Sequence, residues 1–144
     1  MTIFDPRESI GFHCSLTYRA FRSALERRLE GSGVRPTQFV ALAHLVALGP
    51  LPQAELAALL SITPASAVRL IDRMERDGWV TRRDDPADRR VNLVAPTPQA
   101  LSIWEDLSAY PVDLLKQAYR GIPSKDIRLV LHILAKIRKN LEED

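Results

Sequence analysis

Ser66, Arg69, Arg73 and Arg76 fall on one side of a helix drawn at 100° per residue, and Ala67, Leu70, Ile71 and Met74 cluster on the other. A short helix with an apolar back and an arginine front suits one kind of chemistry. The major groove of a duplex admits one α-helix, and arginine can donate two hydrogen bonds to guanine O6 and N7. The helix N-terminus also points backbone N–H groups at phosphate. An ordinary solvated helix face carries the same pattern, so this helix alone leaves both readings open. A second cluster, Asp88-Arg89-Arg90, lies in a polar loop between two short apolar runs. At the tip of a β-ribbon, Arg89 and Arg90 could reach a minor groove, whose negative potential attracts arginine. Asp88, two residues before Arg90, could hold that guanidinium in a fixed direction.

Bulk charge does not separate the two readings. Residues 63–94 hold seven arginines against six acids, a net of +1, and the whole chain of 144 residues carries only +2. Position is therefore the signal. Apolar residues at 46% and charged residues at 26% place the chain among globular proteins and exclude a disordered polyelectrolyte. Its length suits one domain. Cys14 is the only cysteine, so no intramolecular disulfide can form, which favours a reducing compartment. The N-terminus lacks the basic start and apolar run of a signal peptide. The longest apolar stretch, 39–51, includes His44, Gly49 and Pro50 and is too short to span a bilayer. We expect a cytoplasmic protein without a membrane partner.

Elements that could position these residues follow from periodicity and punctuation. A first helix is expected over 7–30, with Phe21, Leu25 and Leu29 inward and a stop at Gly31-Ser32-Gly33. A second begins at Pro36, with Phe39, Leu42, Leu45 and Val46 inward, and closes at Gly49-Pro50. A short third helix follows Pro52 and buries Leu56, Ala57 and Leu60; residues 61–63 make a tight turn. Thr63-Pro64 supplies a hydroxyl cap and an N1 proline for the fourth helix, which runs to Asp77 and stops at Gly78. Residues 79–83 and 91–95 read as a hairpin. Thr97-Pro98 starts a long helix, kinked at Pro111. The last helix starts near Ser124, with Ile127, Leu131, Leu134, Ile137 and Leu141 in one stripe. The predicted fold is mainly α with a small two- or three-stranded antiparallel β wing. The terminal stripe, with Ile10, Phe12 and Leu16 of the first helix, suggests a shared interface in a homodimer.

Three stretches together resemble the MarR (multiple antibiotic resistance regulator) family: Pro52-Gln-Ala-Glu-Leu-Ala-Ala, then Ala67-Val-Arg-Leu-Ile-Asp-Arg-Met-Glu-Arg-Asp-Gly-Trp-Val, then Asp85-Pro-Ala-Asp-Arg-Arg-Val-Asn-Leu. The resemblance runs from about residue 10 to the C-terminus, and the D-x-R element at Asp88 and Arg90 is a fairly specific mark in this context. It implies a winged helix-turn-helix in each protomer over 35–97, with 1–34 and 98–144 as dimerisation helices. It implies double-stranded DNA with pseudo-palindromic operators as a partner, and repression relieved by a small-molecule effector or by oxidation. By position it puts Thr63, Ala65, Ser66, Arg69 and Arg73 at the major groove. It puts Arg89 and Arg90 at the minor groove with Asp88 as support, and Gln53 on phosphate. An effector site is implied near His13, Arg19, Phe39 and Ala43, with Arg69 close by; an aromatic wall plus an arginine suits an aromatic carboxylate. Two positions depart from the family's pattern. Pro96 stands before Thr97 where a leucine is usual and, lacking an N–H, is expected to end the second strand early. Arg35 replaces the hydroxyl cap of the second helix.

Rival functions are weaker. Cys14 beside His13 suggests redox sensing, but adjacent helical residues point about 100° apart. Cys14, His13, His44 and His132 lack metal-ligand spacing, so no metal or cofactor is expected. No phosphate-cradling glycine loop, G-x-S-x-G or H-E-x-x-H supports an enzyme. A winged-helix protein-interaction module remains as the other class, distinguished by whether duplex DNA binds in a salt-dependent way.

Overall fold

The computed structural model describes residues 4–143. The chain forms two compact units, one up to Tyr110 and one from Pro111 onward. The first unit opens with a 3-10 turn, Pro6–Glu8, followed by α1 (Ile10–Leu29), α2 (Pro36–Leu48), β1 (Leu51–Pro52), α3 (Gln53–Leu59) and α4 (Pro64–Arg76). It continues with β2 (Val80–Asp84), β3 (Asn92–Pro96) and α5 (Pro98–Leu107). Across the boundary runs α6 (Ala109–Ala118), and the second unit ends in α7 (Ser124–Glu142). The chain is mainly α with a small antiparallel sheet, as its periodicity predicts. Among the described residues, no single helix is long and apolar enough to cross a membrane.

Several ends differ from the expected ones. The first helix starts at Ile10 rather than at 7, because Asp5 Oδ1 caps the 3-10 turn at Arg7 N (2.9 Å) and Ser9 is extended. The long helix breaks at Ser108 rather than at Pro111. Proline has no N–H for the carbonyl four residues back and its ring crowds that carbonyl, so the disturbance falls one turn earlier, near Leu107. Pro96 does not end its strand early: it is the last residue of β3 and pairs with Val80. It lies beyond the reach of β1, which pairs only with Leu93 and Val94, and the chain continues with Thr97 N donating to Trp79 O (3.1 Å). Leu60 and Val46, expected inside, are half-buried.

Sheet order is β1-β3-β2, both pairings antiparallel. The two-residue β1 places a third strand beside the hairpin. The core of this unit gathers Leu42 and Leu45 of α2, Leu56 of α3, Ile71 and Met74 of α4, Val80 of β2 and Val94 of β3, all fully buried. The helices α3 and α4 are bent 107° apart across residues 60–63, the angle of a helix-turn-helix. Ser61 takes φ +53° in that turn, and Ile62 N donates to Ala57 O (3.1 Å). The N-terminus of α2 lacks a hydroxyl cap but has a substitute. Gln38, 1% exposed, accepts from Arg35 N through Oε1 (3.1 Å) and donates from Nε2 to Asp77 Oδ2 (3.0 Å). One buried amide thus ties the start of α2 to the end of α4, a contact that local sequence reading misses.

Two devices fix the exit from α4 into the wing. Gly78 takes φ +82°, and Trp79 N returns to Met74 O (2.8 Å), closing the helix with a left-handed residue. Arg82 on β2 then grips the flank of α4. Its guanidinium lies 2.7 Å from Asp72 Oδ1 and 3.2 Å from Glu75 Oε1, while Nε donates to Gln53 Oε1 (3.4 Å). We expect Gly78→Ala to lower unfolding free energy by about 1–2 kcal/mol, the cost of a Cβ in the left-handed region; urea unfolding measures it. Arg82→Ala should cost about 1 kcal/mol, because its acidic partners are half exposed, and the loss should shrink in high salt. An unchanged midpoint at low salt would contradict the clamp.

Candidate nucleic-acid interface

The site is built on α4. Thr63 Oγ1 accepts from Ser66 N (3.1 Å) and donates to Ser66 Oγ (3.0 Å), which caps the helix and leaves the Ser66 proton free to point elsewhere. Ala67, Ile71 and Met74 are buried, and Leu70 is half-buried. Helical period then turns Arg69, Arg73 and Arg76 outward, and all three are exposed. Thr63 and Ala65 are exposed at the helix N-terminus, and Ser66 is half-buried.

The wing holds the second cluster. Asp88 Oδ1 accepts from Arg90 N (3.0 Å) and from Arg90 Nε (3.4 Å). The Arg90 side chain is 93% exposed, so its guanidinium is anchored at one edge and otherwise open to solvent. Arg89 beside it is exposed as well. Gln53, at the first position of α3, is half-buried and accepts from Arg82; its amide group remains a donor.

The charge balance looks different once these contacts are known. Asp72 and Glu75 are paired with Arg82, Asp77 accepts from Gln38, and Asp85 accepts from Ala87 N (2.9 Å). Arg69, Arg73, Arg76, Arg83 and Arg89 form no ion pair among the described residues. Five of the six acids of this segment thus have a hydrogen-bond or ion-pair partner, whereas five of its seven arginines are exposed and without an ion pair. Such a face attracts a polyanion through charge and offers forked donors to base edges.

The residues expected around an effector lie on α1 and α2. His13 is exposed on α1, with Nε2 2.6 Å from Arg7 O and its ring edge-on to Phe12. Arg19 is exposed on the same helix. Phe39 is buried and stacked on Trp104, centroids 5.0 Å apart, and Ala43 is half-buried. The Phe39 ring thus has a core partner that sequence spacing did not suggest. Cys14 is an exposed free thiol on α1.

Comparison with known proteins bears on this geometry. The MarR family model matches residues 34–91. A probable transcriptional regulator from Pseudomonas aeruginosa is 25% identical, with a TM-score of 0.78 over 92% of this chain and 99% of that one. CouR from Rhodococcus jostii RHA1, in a structure bound to p-coumaroyl-CoA, is 26% identical, with a TM-score of 0.82 over 94% of this chain and 95% of that one. A mutant MarR from E. coli, complexed with operator DNA, is 22% identical and shares the fold with a TM-score of 0.84 over 95% of this chain and 99% of that one. The family match spans the helix-turn-helix and most of the wing, and the likeness in fold to these transcriptional regulators extends over nearly all of the chain.

Proposed function

We propose that this protein is a sequence-specific double-stranded DNA-binding transcriptional regulator acting as a homodimeric repressor, released by a small ligand. The observation that carries the reading is the unpaired arginine face of α4, with its buried apolar back and capped N-terminus. In this reading Ser66, Arg69 and Arg73, with Thr63 and Ala65 at the helix start, meet base edges and phosphates in the major groove. Arg89 and Arg90 enter the adjacent minor groove, with Asp88 steering Arg90, and Gln53 donates to a phosphate. The operator complex of the E. coli relative supports DNA as the partner.

Dimerisation rests on apolar surface that one copy leaves uncovered. Among the described residues α7 has none buried, although Leu131 and Leu141 lie in its apolar stripe and are 58% and 75% exposed. Ile10, Phe12, Leu16 and Tyr18 of α1 are exposed too. A second copy that covers these faces removes them from water and sets two reading helices to face one duplex. Residues 1–34 and 98–144 are the dimerisation helices of this reading, and 35–97 the DNA-binding segment.

Release by a ligand draws support from the p-coumaroyl-CoA bound to CouR. An aromatic carboxylate or its thioester near His13, Arg19, Phe39 and Ala43 would have to displace the Phe39–Trp104 stack or lie along it, which would shift α2.

Selection of bound duplexes from a random pool tests the reading. The expected product is an inverted repeat with half-sites about one helical turn apart; a pool with no enrichment sinks it. Arg69→Ala should relax preference at one base position and cost about 1–3 kcal/mol of affinity; equal binding by wild type and variant removes that residue from the reader. Sedimentation at micromolar concentration should give a dimer, and a single monomer boundary would contradict the interface.

A further inference from the structure

A cavity of about 490 Å³ opens between α1, α2 and α4, within the first compact unit. Arg22 and Glu26 enter it from α1, Arg35 and Thr37 from the start of α2, and Arg69 and Arg73 from α4. Four arginines and one glutamate thus line it, and none of the four arginines makes an ion pair among the described residues. Three separate elements bring these arginines together, so the cluster is a product of folding rather than of a basic run in the chain. Neither base reading nor dimerisation uses Arg22 or Arg35.

Like charges gathered around one concave surface repel one another, and an anion that bridges them relieves that cost. A single carboxylate neutralises one guanidinium. A phosphate group brings at least one full negative charge and two or three terminal acceptor oxygens, and the arginine fork matches it in two-point geometry. The volume lies in the range of small-ligand sites. We propose that this cavity is a phosphate-binding site, in which Arg22 and Arg35 hold a phosphate group shared with Arg73. The phosphate has two possible sources: a phosphodiester of the DNA backbone beside the major-groove contacts, or the phosphate of a small ligand. In the second case ligand and duplex compete, because Arg69 and Arg73 belong to both the cavity and the reading face. The duplex arm of the test rests on the function proposed above; the free-phosphate arm does not.

Inorganic pyrophosphate is the probe, titrated calorimetrically into the full chain at low ionic strength. Wild type should bind it saturably, Arg22→Ala should weaken binding by at least about ten-fold, and Glu26→Gln should tighten it, since a charged hydrogen bond or a repelling carboxylate is worth that much. Opposite effects from two exposed positions cannot come from misfolding. Anisotropy of a labelled duplex then separates the sources. A backbone phosphate predicts that Arg22→Ala weakens every duplex alike and lowers the salt slope by about one. A small-ligand phosphate predicts unchanged duplex affinity for Arg22→Ala but loss of the displacement by pyrophosphate seen with wild type. The proposal is overturned if Arg22→Ala changes neither pyrophosphate binding nor duplex affinity. If wild type binds pyrophosphate but no duplex, the DNA reading fails and the phosphate site stands.

Discussion

Burial of the apolar back of α4 is the constraint on which the rest of the molecule turns. Ala67, Ile71 and Met74 have no more than 1% of their surface left exposed. Removing Ile71 and Met74 from water is worth about 1.5–3 kcal/mol each, more than the rotational preference of any surface arginine. Once that face is committed, the period of the helix leaves Arg69, Arg73 and Arg76 no direction except outward. The 107° bend after α3 and the Thr63 cap set where the helix begins, and Gly78 sets where it stops. The orientation of the arginine face is thus a consequence of packing.

Electrostatics refine what packing establishes. Overall charge is almost neutral across the motif, yet the acids are not free to cancel the outward arginines. Arg82 from the neighbouring strand draws Asp72 and Glu75 to the flank of α4, and Gln38 from α2 takes Asp77. One buried amide and one partly buried guanidinium therefore do two jobs, joining elements and giving three exposed acids of α4 and its end a partner other than the outward arginines. The same sorting leaves Arg69 and Arg73 available to the cavity beside Arg22 and Arg35.

Much of this was legible along the chain, for local reasons. Thr63-Pro64 and Thr97-Pro98 are short-range caps, and the i, i+3, i+4 spacing of Ala67, Leu70, Ile71 and Met74 belongs to one helix. What escaped is long-range. The two residues of β1 are a strand only because Leu93 and Val94 lie alongside. Gln38 looks like an ordinary polar helix residue until Asp77, thirty-nine positions away, is brought to it. Pro96 suggested an early strand end by a local rule, but the neighbour whose hydrogen bond it would forfeit is absent, since β1 is too short to reach it. Phe39 is stacked on Trp104, sixty-five residues on, a contact that spacing along the chain does not show. Arg22 and Arg35 carry no motif of their own and gain meaning only when α1, α2 and α4 converge.

The central claim is that an arginine face on a buried-backed helix binds a duplex. The salt dependence of duplex affinity tests it most directly. The account predicts that log affinity falls linearly with log salt with a slope of several units, as counterions leave the neutralised phosphates. A flat dependence, or no binding at low salt, would contradict it.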